Sequence, residues 1–359
     1  MDTKKKVLIC PLDWGIGHAA RCVPIIRQFQ SMGWEVVAAA DGRPQIFLKK
    51  EFPDLDIINF PGIKVNYPKN RWMAFHMLRR APSFLIGFRK EHQRLKKLAD
   101  EVNPDLIISD NRYGCWHSRI PSVFITHQLE IQVPFRLVKR ILNFINIWFI
   151  NHYMECWVPD FELHHGLAGN LSHPAKLPRN TYYIGILSRF HKLHSTHNPT
   201  ISTPLDLLVM LSGPEPQRSI LQEKIIKQLD NINMQVAIVQ GLPEVTDNFS
   251  MEGRIQVFSH LETKKMYEII KRAKMIICRS GYSSIMDVVT LGKKAVFIPT
   301  PGQTEQEYLA HYLMDKKIFF SMDQKKFDLL YALEMSKNFP GMVIENDYQY
   351  LQERIQHFN

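Results

Sequence analysis

Amide and carboxylate side chains crowd one short stretch near the C terminus, where they could bind the hydroxyl groups of a sugar. Residues 303–307 are all polar and follow the closely spaced Pro299 and Pro301. Amides both donate and accept hydrogen bonds and carboxylates accept them, which suits a polyhydroxylated ligand. A solvated loop is the alternative, but so dense a cluster is unusual for a plain turn. The predicted ligand contacts are Gln303, Glu305, Gln306 and Glu307.

A glycine-containing turn earlier in the chain could bind phosphate. The apolar run 275–278 predicts a buried strand, residues 279–281 a turn, and the residues that follow a helix capped by Ser283 or Ser284. A helix N-terminus offers unpaired backbone N–H groups and a partial positive charge to an anion. Asp287, one turn into the helix, could accept hydrogen bonds from ribose hydroxyls. The predicted contacts here are Arg279, Ser280, Gly281, Tyr282, Ser283, Ser284 and Asp287.

Strands and helices that alternate along the whole chain would position these loops. This alternation predicts an α/β fold with parallel, doubly wound sheets. Strands are predicted at 7–10, 35–40, 56–60, 105–109, 122–126, 156–158, 206–211, 235–240, 255–260, 275–278 and 295–299. Helices are predicted at 18–31, 71–99, 135–153 and 218–230. The polar, proline-containing run 189–204 predicts a linker between domains 1–188 and 205–345, with a last helix within 346–359 that could pack back on the first domain.

The two C-terminal motifs resemble the donor-binding half of GT-B nucleotide-sugar glycosyltransferases, in particular the MurG-like group with a family 28 C-terminal domain. The matching residues are Ser280, Gly281, Ser284 and Asp287, then Pro299, Gln306 and Glu307. Asp287 stands where the family more often has Glu, and Glu307 replaces a second Gln, so the identity of the sugar stays open. The resemblance covers 255–315 well and 7–24 moderately. It implies two Rossmann-like domains that face a cleft.

A polar loop near the N terminus could carry the catalytic base. Gly15, Gly17, His18 and Arg21 resemble the acceptor-side loop of the same transferases. Sugar transfer requires the acceptor hydroxyl to lose a proton, and a neutral imidazole suits that task at neutral pH. Asp13 could orient His18. Arg21 could hold a phosphate or pair with an acid.

Other interpretations of the first half stay open. Asp110 and His127 follow predicted strands, and either could be the base with His18 in a supporting role, or a turn residue. The spacing Gly15-x-Gly17-x-x-Ala20, with Asp41 after the next strand, also matches a dinucleotide fingerprint. That match is weak because four residues separate the predicted strand from Gly15.

The leaving nucleoside diphosphate gains negative charge as the glycosidic bond breaks, so N–H donors and cations would lower the barrier. The candidates are the turn at Ser212 and Gly213 with Arg218, and the later turn with Arg279. His260 ends a strand where the resemblance implies contact with the nucleotide base. No acidic pair suited to a divalent cation follows a strand, so we expect no metal. We also expect no cofactor, since the UDP-sugar is a substrate.

Composition and charge restrict the partners. The chain has 359 residues, a formal charge of +10 and five scattered cysteines, which fits a two-domain globular protein with reduced thiols in the cytoplasm. No signal peptide is expected, and His164-His165 lacks the spacing of a zinc site. Segments 71–97 and 133–153 combine basic and aromatic residues, which predicts either buried aromatics or peripheral binding to an anionic membrane at its inner face. We expect no nucleic-acid partner.

These observations predict an inverting glycosyltransferase. It would transfer a hexose or N-acetylhexosamine from a UDP-sugar to a hydroxyl of an acceptor glycan or glycolipid. Two alternatives stay open. Gly17, His18, Arg21 and Cys22 also resemble the loop of UDP-sugar hydrolases, in which water is the nucleophile. A non-catalytic nucleotide-sugar-binding protein is the other.

Overall fold

The computed structural model describes residues 4–63, 81–133, 135–162, 166–191, 193, 203–230, 232–245, 249–344 and 348–359. These residues form two compact units. Unit 1 holds those up to Leu187 and those from Tyr348 onward, whereas unit 2 holds 188–344. Residues 71–80 of the predicted second helix, His164-His165 and most of the predicted linker lie outside the described residues.

Unit 1 is built on a seven-stranded sheet in which every neighbouring pair is parallel. Its strands are β1 (Lys6–Pro11), β2 (Glu35–Ala40), β3 (Asp56–Asn59), β4 (Leu106–Asp110), β5 (Ser122–Ile125), β6 (Glu155–Val158) and β7 (Thr181–Tyr183). The intervening helices are α1 (Ile16–Ser31), α2 (Gly42–Glu51), α3 (Ala81–Val102) and α4 (Arg136–Ile150). The strand order β3-β2-β1-β4-β5-β6-β7 reverses between β1 and β4.

Unit 2 repeats this plan with one antiparallel edge. Its strands are β8 (Leu205–Met210), β9 (Val236–Val239), β10 (Phe249–Glu252), β11 (Ile255–Phe258), β12 (Ala273–Cys278), β13 (Ala295–Phe297) and β14 (Phe320–Ser321). Its helices are α5 (Gln217–Leu229), α6 (Thr263–Arg272), α7 (Tyr282–Thr290), α8 (Thr304–Asp315) and α9 (Leu329–Ser336). The order is β10-β11-β9-β8-β12-β13-β14, and only the pair β10 and β11 is antiparallel.

The predicted α/β class with two parallel sheets is confirmed. The predicted strands are present because continuous apolar runs such as 7–10 and 206–209 are buried on both faces of a parallel sheet. The short edge strands β7, β10 and β14 were not predicted. In each sheet the order reverses at one point, between β1 and β4 and between β8 and β12. Open α/β sheets bind ligands beyond the carboxyl ends of strands at such points.

The last helix, α10 (Gln349–Gln356), is part of unit 1. Arg354 forms an ion pair with Glu155 of β6 and lies over the ring of Tyr182, 3.8 Å from its centroid. Trp34 Nε1 donates to Asn359 Oδ1 at 2.6 Å. The C-terminal residues are therefore held against the sheet by charge, ring and hydrogen-bond contacts.

Candidate active site and donor-binding site

The first turns of α1 direct three side chains toward Asp110 at the carboxyl end of β4. His18, Arg21 and Cys22 are spaced by three and four residues, so they share one helix face. Arg21 Nε donates to Asp110 Oδ1 at 2.7 Å, and Arg21 Nη2 contacts the same oxygen. His18 Nδ1 lies 3.1 Å and Cys22 Sγ 3.8 Å from Asp110 Oδ2. The cluster lies at the strand-order reversal of unit 1.

Asp110 and Arg21 form a buried ion pair at the centre of this cluster. The Asp110 side chain is fully buried, and the Arg21 side chain is 2% exposed. Burial alone would raise the pKa of Asp110, but the charges of Arg21 and His18 and their hydrogen bonds lower it below its usual value. Asp110 is therefore an ionised anchor, which disfavours it as the base. Of the two roles predicted for Arg21, the structure shows the pairing with an acid.

The contacts of His18 favour one tautomer. Its Nδ1 lies 3.1 Å from Asp110 Oδ2 and also 3.1 Å from Arg21 Nη2. An arginine nitrogen can only donate, so Nδ1 cannot satisfy both neighbours at once. The carboxylate is the stronger partner for an imidazole N–H, because hydrogen bonds to charged groups are stronger. With the proton on Nδ1, the lone pair of Nε2 can accept a proton, and the side chain is 22% exposed.

His127, which follows β5, contacts the other side of Arg21. Arg21 Nη1 lies 3.2 Å from His127 Nδ1, so Nδ1 acts as the acceptor and the proton lies on Nε2. His127 is 5% exposed. Its lone pair is thus directed to Arg21, and the geometry favours His18 as the base.

The prediction that Asp13 orients His18 is wrong. Asp13 Oδ2 instead accepts the backbone N–H of Gly62 at 3.0 Å, and the carboxylate beside His18 is Asp110. The helix also begins earlier than predicted, at Ile16 with Gly15 as its N-cap, so Gly17 and His18 lie in its first turn. A Cβ at Gly15 would meet no atom within 4 Å, so there is open space beside this part of the loop.

In unit 2 the two predicted donor motifs are joined by hydrogen bonds. Ser280 Oγ donates to Gln306 O at 2.8 Å. Gln306 Oε1 accepts the Thr300 N–H, and Glu307 Oε1 accepts the Gly302 N–H, both at 2.9 Å. The amide and carboxylate therefore shape the loop that joins β13 to α8. Gln303 is the N-cap of α8, and Glu305 lies in its first turn.

The N-cap of the helix after the glycine turn is Gly281, two residues before Ser283 and three before Ser284, the two predicted caps. No side chain caps this helix, α7, and Tyr282, Ser283 and Ser284 form its first turn. The backbone N–H groups of this turn are those that an anion would contact.

Neither predicted phosphate-binding arginine lies open at the turns. Arg279 is fully buried, and its guanidinium donates to the carbonyls of Ile298, Pro299 and Gln217 at 3.1, 3.3 and 2.7 Å. Burial lowers the pKa of Arg279 to about 10. Arg218 forms an ion pair with Glu215. Arg279 is thus a positioning residue that joins β13 to the start of α5, and its direct contact with phosphate was predicted wrongly.

Asp287 lies on α7 and accepts a hydrogen bond from Ser188 Oγ at 2.7 Å. Burial raises the pKa of Asp287 to about 6, although the charge of Arg189 and the hydrogen bonds from Ser188 and the Arg189 backbone oppose the rise. A carboxylate has about four acceptor positions, so ribose hydroxyls could bind beside Ser188. No pattern in the sequence indicates the contact between Ser188 and Asp287, since the two residues are 99 positions apart.

The remaining donor candidates also follow strands of unit 2. Ser212 and Gly213 come after β8, and Gly213 has a φ of 94°, which favours glycine. His260 follows β11 and is 7% exposed. The turn after β8, the turn after β12 and the loop after β13 therefore lie at the carboxyl ends of three adjacent strands.

Comparison with known families decides the class of the protein. Residues 217–336 match the glycosyltransferase family 28 C-terminal domain, and residues 6–129 match glycosyl transferase family 1. The chain is a GT-B glycosyltransferase with a family 28 C-terminal domain. The predicted resemblance is thereby confirmed.

Full-length relatives agree with this class. The enzyme is 23% identical to an uncharacterized glycosyltransferase of Methanosarcina acetivorans, over 86% of this chain and 81% of the relative. It is 22% identical to the UDP-N-acetylglucosamine–N-acetylmuramyl-(pentapeptide) pyrophosphoryl-undecaprenol N-acetylglucosamine transferase of Actinobacillus pleuropneumoniae, over 90% and 86%.

Solved structures share the fold of the enzyme. The MurG of Acinetobacter baumannii matches with a TM-score of 0.56 and 17% identity, over 98% of this chain and 99% of that one. The glycotransferase of kitacinnamycin matches with a TM-score of 0.64 and 12% identity over the full length of both chains.

Proposed function

We propose that the enzyme is an inverting transferase that moves a hexose or N-acetylhexosamine from a UDP-sugar to a hydroxyl of a lipid- or membrane-linked acceptor. The hydrogen bonds of Gln306, in the first turn of α8, with Ser280 and with Thr300 carry the proposal. It places an uncapped helix N-terminus beside amide and carboxylate groups, the combination that a sugar diphosphate requires. The activity for which the Actinobacillus relative is named supports a UDP-sugar donor and a lipid-linked acceptor.

In this reaction unit 1 would supply the base. His18 Nε2 takes the proton of the acceptor hydroxyl while the acceptor oxygen forms a bond to the anomeric carbon. The bond from that carbon to the diphosphate breaks, and UDP leaves with the electron pair. Asp110 holds the Nδ1 proton and stabilises the imidazolium that forms. A single displacement of this kind inverts the anomeric configuration.

A transfer assay tests this function. The enzyme is incubated with a panel of UDP-hexoses and UDP-N-acetylhexosamines, with and without an undecaprenyl pyrophosphoryl glycan. An α-linked donor should give a β-linked product, visible by NMR, only when the acceptor is present. Rapid release of free sugar without acceptor would instead show a hydrolase, and no turnover with any donor would contradict the proposal.

Donor binding should weaken below about pH 6. The pKa of Asp287 is raised to about 6, so the carboxylate that would accept ribose hydroxyls is ionised above that pH and protonated below it. The Kd of a UDP-sugar should rise by about tenfold per pH unit below 6 in the wild type. A UDP-sugar is preferred to UDP because UDP has a terminal phosphate that itself titrates near pH 6.

Calorimetry of Asp287→Asn from pH 5 to 8 provides the control. This variant should bind weakly at every pH and show a flat profile. A wild-type Kd that is constant down to pH 5 would exclude the ribose role.

The stability of the fold should depend on pH in the opposite direction from donor binding. A raised carboxyl pKa favours the folded state most at low pH, and this contribution to stability is lost as the pH rises through about 6. Asp287→Asn should therefore stabilise the fold at neutral pH.

Unit 1 also has a surface suited to an anionic membrane. Leu137, Ile141, Phe144 and Trp148 form one stripe along α4, with exposures between 52% and 73%. Arg136 and Arg140 on the same helix are exposed. An apolar stripe beside arginines can insert into the headgroup region while the charges bind acidic lipids. No helix of the described residues is long and apolar enough to cross a membrane.

Replacing the two aromatic residues of this stripe should reduce vesicle binding. Phe144→Ser with Trp148→Ser removes two large apolar groups, and we expect partition onto phosphatidylglycerol vesicles to fall by at least about tenfold. Sedimentation with vesicles measures it. Phe249→Ser, at a phenylalanine of unit 2 that is 57% exposed, is the control and should change nothing. Equal loss in both variants would argue against the α4 surface.

A further inference from the structure

Thr300 carries a buried hydroxyl that the protein itself does not use. The residue is 2% exposed, and Oγ1 has no hydrogen-bond partner among the described residues. Its backbone is fully engaged, since its N–H donates to Gln306 Oε1 at 2.9 Å and its carbonyl accepts from Gln303 N at 3.0 Å. Burying a hydroxyl without a partner is unfavourable, so such a group calls for an explanation.

The position of the Thr300 hydroxyl suggests an explanation for its missing partner. A Cβ built on Gly213 would lie 3.3 Å from Thr300 Oγ1, so the hydroxyl faces the turn after β8. Gly213 has a φ of 94° and no side chain, so no Cβ at this position approaches the hydroxyl. The hydroxyl therefore lies between the turn after β8 and the loop after β13, next to the segment that contacts Ser280.

Arg279 holds the backbone that leads to Thr300. It donates to the carbonyls of Ile298 and Pro299, the two residues before Thr300, and to the carbonyl of Gln217 at the start of α5. Among the described residues, no carboxylate forms an ion pair with this buried guanidinium. A buried cation that contacts the residue before a hydroxyl donor favours an anionic ligand at that hydroxyl.

We propose that the Thr300 hydroxyl donates a hydrogen bond to a diphosphate oxygen of the bound sugar nucleotide. This inference rests on the proposed function, because it takes unit 2 to be the donor-binding unit. It adds a specific side-chain contact to the backbone N–H groups of the turns.

Calorimetry with UDP, dTDP and GDP tests the contact. Thr300→Val keeps the shape and removes the donor, so the Kd of the diphosphate that binds the wild type should rise about tenfold or more, as expected for one hydrogen bond to a charged oxygen. The melting temperature should stay unchanged or rise, because an unpaired buried hydroxyl is lost. Uridine affinity should not change.

Thr290→Val is the matched control. Thr290, the last residue of α7, also has a buried hydroxyl without a partner among the described residues, and its replacement should leave affinity unchanged. If Thr300→Val does not fold, Thr300→Ser and Thr300→Ala replace it, and only the serine variant should retain affinity. If the wild type binds a diphosphate and Thr300→Val binds it with equal affinity, this inference is overturned and the proposed function is not. No binding of any diphosphate to the wild type would overturn the proposed function as well.

Discussion

His18→Ala should lower kcat by about 10²- to 10⁴-fold, the range for loss of a general base. The reason is that Nε2 is the accepting nitrogen of an imidazole whose Nδ1 proton faces Asp110 at 3.1 Å. Affinity for UDP should not change, since the predicted donor contacts belong to unit 2. Steady-state kinetics and calorimetry on the same preparations separate the two effects.

His18→Asn distinguishes a base from a positioning residue. Its amide nitrogen takes the place of Nδ1 and can still donate to Asp110, but it cannot take a proton, so the variant should be as impaired as the alanine variant. His357→Ala, at an exposed histidine of the same unit, serves as the control. A kcat within about threefold of wild type in either His18 variant would refute the assignment of the base.

Asp110→Asn should reduce the free energy of unfolding by about 3–5 kcal/mol, because it leaves Arg21 as a buried charge without its carboxylate. Urea denaturation measures this change. Activity should fall as well, since the imidazole loses the group that holds its proton. Because the pKa of Asp110 is lowered in the folded state, its contribution to the free energy of unfolding is complete above the usual carboxyl pKa. This contribution is lost as the pH falls from there through the lowered pKa.

The double variant Arg21→Gln with Asp110→Asn shows whether the pair acts as a unit. Removing both charges should restore much of the stability, whereas activity should stay low. If the stability loss of the double variant equals the sum of the losses in the two single variants, the 2.7 Å contact between Arg21 and Asp110 contributes little to stability.

The sequence was sufficient for the fold class because parallel strands buried on both faces are continuous apolar runs, as at 7–10 and 275–278. It also indicated where the two candidate donor motifs lie, since glycine and clustered amides are local signals. Edge strands such as β14, with two residues, carry too little pattern to be found. The turns that follow central strands were thus easier to locate than the short strands at the edges of the sheets.

Partners distant in sequence could not be predicted. Asp13 was chosen to orient His18 because it is near in the chain, but β4 lies beside β1 in the sheet, and this neighbour brings Asp110 to the histidine. The arginine at 279 was expected to bind phosphate, yet its surroundings are backbone carbonyls that no sequence pattern displays. Spatial neighbours decide these roles.

The packing of α10 makes unit 2 an insertion within unit 1. Lys5 Nζ donates to the carbonyl of Phe358 at 2.8 Å, so two segments that are 353 positions apart in the sequence touch. During synthesis the ribosome must release the whole second unit before the first can acquire α10. A circular permutant that links the segment of Lys5 to that of Phe358 and opens the chain elsewhere should accordingly keep both sheets intact.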